Sequence, residues 1–301
     1  MTFSIVAYDP NTGDFGVAVQ SKFICVGPVV PFAQANVGAV ATQAHCNTSF
    51  GPRGLELMGS GMKADDALKK ILANDELKDH RQVGLIDSYG NATAFTGKEC
   101  FHWAGHIIGD HFTCQGNILI SADTVEGMAK AYETTKGDLP TRLLAALHSA
   151  DQEGRGDARG QQSASLLVVR EKGGYGGFTD RWVDIRVDEH PHPIKELHRI
   201  FQIYDMTMLE RENPARLLPL DKNRIENIIA VLEELGYLSS NHGGPRDSWT
   251  TEYAKAFENW IGINNFENKW RNDGKIWQSI YDYMLKEKGT PFVSLKKMSE
   301  I

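Results

Sequence analysis

The chain has 301 residues, 41% of them hydrophobic and 24% charged, which suits an ordinary globular protein with room for one large domain or two. Its net charge of −7 and the lack of a basic run argue against nucleic acid as a partner, and no apolar stretch is long enough to cross a bilayer. Cys25, Cys46, Cys100 and Cys114 form no CxxC pair and no zinc spacing, so they read as small buried hydrophobes in a reducing compartment. No metal or cofactor is expected. No charged and apolar leader precedes Thr2, so the expectation is a cytoplasmic protein, with export of a processed form left open.

In chain order, apolar alternation predicts strands over Phe3–Tyr8 and Phe15–Phe23, joined by the turn-forming DPNTG of residues 9–13. A break over Val26–Pro31 precedes a small-residue strand at Asn36–Gln43 and a loop, His45–Gly54. A helical turn at Leu55–Gly59 and a helix at Ala64–Ala73 follow, then short strands at Gln82–Asp87 and Ala92–Phe95. Trp103–Gly109 reads as a glycine-punctuated connector and Phe112–Ile120 as a strand. Helices over Asp123–Thr134 and Leu139–Ala150 lead through a polar loop to strands at Ser163–Arg170 and Arg181–Val187, and Pro193 opens a helix. Strand blocks separated by helix pairs fit an α+β, four-layer αββα sandwich better than a doubly wound sheet. Residues 1–205 are assigned to it and 206–220 to a linker. Apolar stripes at helical spacing then place a small all-α domain at 221–289, ahead of a tail at 290–301.

Thr2 stands at the first position of the opening strand. Removal of Met1 would leave a residue carrying a nucleophile and a base together, since a free α-amine titrates at about 7.7–8.0. Many chains that start Met-Thr enter a strand with no catalysis implied.

Residues 2–205 resemble an uncharacterised family of N-terminal-nucleophile (Ntn) hydrolase-like proteins. The resemblance is carried by TFSIVA (2–7), GVAVQSKF (16–23), VATQA (40–44), GPRGL (51–55) and WAGH (103–106). It continues in QGNIL (115–119), RGQQSA (159–164), GGYGG (173–177) and Asp188 to Pro193. Its fold is the αββα sandwich. Its chemistry implies hydrolysis of a small-molecule amide or ureido bond through an acyl-enzyme on Thr2. In that reading Lys22 is the cation beside the amine or else a solvated strand-end lysine. Asn117 and Gln115 contact the oxyanion or substrate, or are satisfied core amides. Ser163 orients the amine, with Asp157 and Arg159 as helpers or as a loop ion pair. Gln20, Ser21, Gln43, His45, Arg53, His106 and Gln162 complete the expected substrate contacts. Residues 45–50 read HCNTSF where the family carries Trp-Ala-Asn-Pro-Ser-Tyr, which points to a different substrate preference.

The C-terminal part is similar to a peptidoglycan-binding-like domain through VLEELGYL (231–238) and FENW (257–260), so a peptidoglycan fragment is a possible partner. A helical dimerisation or lid domain is the other reading of that part. Exposed sheet edges imply a homo-oligomer. Two further readings stand beside the amidohydrolase: a non-catalytic binding or scaffold protein on the same fold, and a cell-wall-directed amidase.

Overall fold

The computed structural model describes residues 2–152, 155–209 and 211–292, and the chain divides into two compact units, 1–201 and 202–301. Met1 and most of the expected tail, from residue 293 on, lie outside the described residues.

The first unit opens with the expected hairpin, β1 (Thr2–Asp9) and β2 (Asp14–Ser21). Its turn is closed by the Asp9 carboxylate, which accepts from Asn11 N at 3.0 Å, and by Gly13, whose φ of +77° suits a residue without Cβ. Next come β3 (Pro31–Gln34), β4 (Gly38–Ala44), α1 (Phe50–Gly59), α2 (Ala64–Leu72), β5 (Arg81–Asp87) and β6 (Ala92–Thr96). The unit continues with β7 (Trp103–Gly109), β8 (Phe112–Leu119), α3 (Asp123–Thr134), α4 (Leu139–Ala150), β9 (Ser163–Val169) and β10 (Arg181–Val187), and it ends within α5 (Pro193–Met208).

The strands form two antiparallel sheets, of order β10-β9-β2-β1-β8-β7 and β3-β4-β5-β6. Strand alternation sorts their faces. Val6, Val17 and Val19 of the larger sheet meet Ala39, Ala41 and Ile86 of the smaller one. Gly16 lies on the opposite face, where an added Cβ would come within 2.5 Å of Leu143 on α4. On the smaller sheet, Val40, Val83 and Leu85 pack against Phe50, Leu55, Met58, Leu68 and Ile71 of α1 and α2. The architecture is mixed α+β.

Three expectations change in this unit. The predicted break at Val26–Pro31 is followed by an extra edge strand, β3. The predicted connector at Trp103–Gly109 is β7, an edge strand of the larger sheet; Gly105, Gly109 and its half-buried faces mute the alternation. Helix α1 begins at Phe50, inside the predicted loop. Gly51 and Gly54 serve close packing there: a Cβ on Gly51 would overlap the Phe32 ring at 2.2 Å, and one on Gly54 would lie 3.2 Å from Val40.

The second unit is mainly helical: α6 (Lys222–Glu234), α7 (Thr251–Ile263) and α8 (Gln278–Glu287) enclose Ile228, Leu232, Trp260, Ile280 and Met284. Asp221 caps α6 by accepting from Arg224 N at 3.0 Å, and Thr250 caps α7 through Tyr253 N at 3.3 Å. Gly236, just past the end of α6, has φ +80°, the left-handed conformation in which a glycine stops a helix. The segment read as a linker contains the end of α5, a 3-10 turn at Pro214–Arg216 and a strand, β11 (Leu217–Pro219). This strand pairs with β12 (Lys275–Trp277), inside the stretch read as all-α. Three-residue strands are too short to show a period. Residues 290–292, read as tail, join this unit: Tyr237 donates to Thr290 O at 2.7 Å, and its ring lies 5.3 Å from that of Phe292.

Candidate active site at the start of the first strand

Strand β1 lies between β2 and β8, so Thr2 is paired with Ser21 on one side and Asn117 on the other. Past Thr2, the segment Gly156–Arg159 runs from the end of β8 to the end of β2. Asp157 bridges Leu119, Ala158 N donates to Ile118 O at 3.3 Å, and Ile120 N donates to Gly156 O at 3.1 Å. Across the gap, Lys22 N donates to the Asp157 carboxylate at 3.2 Å and Arg159 Nη2 to Lys22 O at 3.4 Å. Gly156 makes this path possible, with φ +88° and the Ala150 carbonyl 3.0 Å from where a Cβ would sit. The Asp157 side chain is fully buried. Burial pushes its carboxyl up, against the opposing N–H donors of Arg159 and Lys22 and the Arg159 guanidinium.

Thr2 is 6% exposed, and its Oγ1 lies 3.0 Å from Ser21 Oγ. Its main-chain carbonyl is held by two side-chain amides, Gln43 Nε2 at 3.3 Å and Asn117 Nδ2 at 3.5 Å. Both amides also donate to one acceptor, Gln82 Oε1, at 2.8 and 2.9 Å. Gln82 belongs to the facing sheet, and its own Nε2 reaches Gly116 O at 2.7 Å, Thr96 Oγ1 at 2.9 Å and Gly105 O at 3.1 Å. Deeper in, Gln115 donates to Ser4 Oγ and Ser4 to Gln43 Oε1, both at 2.6 Å. Buried amides in a low-dielectric interior need every such partner, and here they tie the two sheets together directly behind Thr2. Gln82 is missing from the residues expected at the site. Its only signal is a polar amide just before the apolar run VGLI in the predicted strand QVGLID.

The expected site residues fall into groups. Ser21, Gln43 and Asn117 meet Thr2, and Gln115 joins the same network one layer further in. Gln20 does not: alternation turns it to the opposite face of β2 from Ser21, where both amide atoms are buried without a hydrogen-bond partner among the described residues. Lys22 directs its ammonium to Gln161 O at 3.1 Å in an exposed position. Ser163 Oγ donates to Phe23 O at 2.5 Å and accepts from Val26 N at 3.1 Å, shaping the turn after β2. Gln162 offers its carbonyl to His190 N at 2.8 Å. His106 stands on edge strand β7 with Nδ1 2.8 Å from Thr96 Oγ1, one bond removed from Gln82, and partial desolvation holds its pKa below the usual value. Arg53 is exposed on α1.

His45 and the departing HCNTSF segment are pinned from beneath. Arg81 binds the His45 carbonyl and forms a buried pair with Asp75, Nε to Oδ2 at 3.0 Å, while Asn47 Nδ2 donates to the same carboxylate at 3.1 Å. Burial raises the Asp75 pKa, but the Arg81, Asn47 and Leu77 N–H donors outweigh it and leave the group below its ordinary value. A depressed folded pKa contributes stability that is complete above the unfolded value of about 3.9 and is lost as pH falls through the folded one. Urea unfolding of wild type and Asp75→Asn between pH 5 and pH 2 is therefore expected to show a gap that closes toward pH 2. A constant gap would mean that Asp75 does not titrate below its unfolded value.

Residues 2–197 match the model of a "Family of unknown function (DUF1028)", and residues 207–284 match that of a "Putative peptidoglycan binding domain". Among solved structures, the chain is similar to protein SPO2555 from Silicibacter pomeroyi, a crystal structure matched to the same DUF1028 family. The identity is 32% over 69% of this chain and 88% of that one, with a TM-score of 0.63. Anbu (ancestral beta-subunit) from Yersinia bercovieri is 10% identical over 67% of this chain and 93% of its own, with a TM-score of 0.32. No curated protein matches. With the family model covering the whole first unit up to α5, the chain belongs to the DUF1028 family and carries a peptidoglycan-binding-like domain behind it.

Proposed function

We propose that the first unit is an N-terminal-nucleophile amidohydrolase acting on a small amide or ureido compound, with its two sheets and two helix pairs stacked as an αββα sandwich. The observation that carries this reading is the end of the β1 ladder. Thr2 occupies it with its hydroxyl 3.0 Å from Ser21 Oγ and its carbonyl fixed by Gln43 and Asn117. Once Met1 is removed, Thr2 Oγ1 attacks the substrate carbonyl and the α-amine takes the hydroxyl proton, directly or through one water. The C–N bond then breaks, the amine leaves with that proton, and water hydrolyses the threonyl ester to release the acid. Ser21 orients the hydroxyl. The α-amine of an unperturbed chain start titrates at about 7.7–8.0, which suits a base at neutral pH.

Intact mass spectrometry of the native protein tests the first requirement. The expected mass is that of the chain beginning at Thr2. Full retention of Met1 would overturn this mechanism and favour a non-catalytic protein on the same scaffold.

The match of residues 207–284 favours a second reading, in which the C-terminal unit directs the amidase to cell-wall material. Co-sedimentation of the full chain with purified sacculi is the measurement, and absence of pelleting would remove peptidoglycan as a partner.

A further inference from the structure

Helices α4 and α5 border a cavity of about 490 Å³ within the first unit. From α4 it takes Thr141, Leu144, Ala145 and His148, whose spacing of three, one and three places them on one helical face. From α5 it takes Lys195, His198 and Phe201, each three residues from the next. The chemistry is divided by depth. Leu144 and Phe201 are buried and form an apolar floor, whereas His148, Lys195 and His198 are exposed at the rim. Among the described residues no carboxylate belongs to the lining, and Glu196, beside Lys195 in sequence, is paired with Arg199 at 2.7 Å. Burial lowers the His198 pKa first, and the charge of His148 lowers it further. None of these residues belongs to the network around Thr2.

We propose that this cavity is a separate binding site for a small organic carboxylate with an apolar body, of the medium-chain alkanoate or arylalkanoate class. The volume falls in the range of small-molecule sites, which are apolar pockets with a few polar groups that fix orientation. Here the apolar body rests on Leu144, Ala145 and Phe201, and the carboxylate meets the Lys195 ammonium and the two imidazoles. The Lys195 ammonium supplies the charge that selects an acid over an amine of the same length, and the imidazole N–H groups of His148 and His198 donate to the carboxylate.

Isothermal titration of the full chain with octanoate, octylamine and acetate tests this. Octanoate is expected to bind, and the other two at least tenfold more weakly, because each lacks one half of the recognition. His148→Leu combined with Lys195→Met is expected to weaken octanoate at least tenfold. Ala145→Trp fills the cavity and is expected to abolish binding, with circular dichroism and the thermal midpoint confirming the fold of both variants. No heat from octanoate at millimolar concentration, equal binding of octylamine, or octanoate binding that survives in a folded Ala145→Trp protein would each overturn the proposal. The last outcome would place the ligand elsewhere, including at Thr2.

Discussion

Thr2→Ala is expected to abolish covalent labelling of the protein by a β-lactone probe, a fall of at least about a thousandfold in rate. Thr2→Ser is expected to keep labelling within about tenfold of wild type. The argument is chemical: the ester can form only on a hydroxyl at position 2, and serine retains both that oxygen and the α-amine. The fold should tolerate both changes. Thr2→Ala removes one hydrogen-bonded hydroxyl, worth about 1 kcal/mol, while the β1 ladder with Ser21 and Asn117 and the grip on the Thr2 carbonyl involve only main-chain atoms of that residue. Rate constants for labelling, followed by intact mass and read beside a thermal melt, separate the chemical role from a structural one. Labelling of Thr2→Ala at the wild-type rate would place the nucleophile elsewhere.

The hairpin that presents Thr2 was readable because two strong signals coincide, period-two burial and a turn that only residues such as Asp9, Pro10 and Gly13 favour. Pairing with Ser21 follows from the same register, as does the turning away of Gln20. What a strand does after it ends is another matter. The paths of Lys22 and Phe23 depend on Asp157 and Ser163, more than 130 residues later, and no local pattern encodes that meeting. The same holds for Gln82: alternation shows that it faces the interior, but not that two amides from the other sheet converge on its oxygen. Gly51 and Gly54 misled in the opposite direction. Their small size reads as a turn in sequence, yet serves the close approach of α1 to Phe32 and Val40. Beyond α5, the alternation of Leu217–Pro219 is three residues long and ends in proline, so β11 passed for a linker.

Gln82→Leu is the second change with a large expected effect, and it acts on stability and site together. Leucine matches the volume and removes both ends of the amide. Gln43 Nε2 and Asn117 Nδ2 then lose their shared acceptor and Gly116 O a donor, all buried, while the half-buried Gly105 O and Thr96 Oγ1 lose a donor as well. Each buried group left short of a partner costs about 1–3 kcal/mol, reduced where a second bond survives, as it does for Gln43 and Asn117. A total of about 3 kcal/mol follows, which lowers the melting midpoint of a unit this size by roughly 6–12 °C. The amides that lose Gln82 are the ones that hold the Thr2 carbonyl, so their reorientation shifts the nucleophile as well. In protein still folded at 25 °C, the β-lactone labelling rate is expected to fall by about 10–100-fold. Gln82→Glu keeps the acceptor for Gln43 and Asn117, and is expected to recover labelling more than stability. If Gln82→Leu melts early but labels at the wild-type rate, the amide network is structural only, and Thr2 owes its position to the β1 ladder and to Ser21.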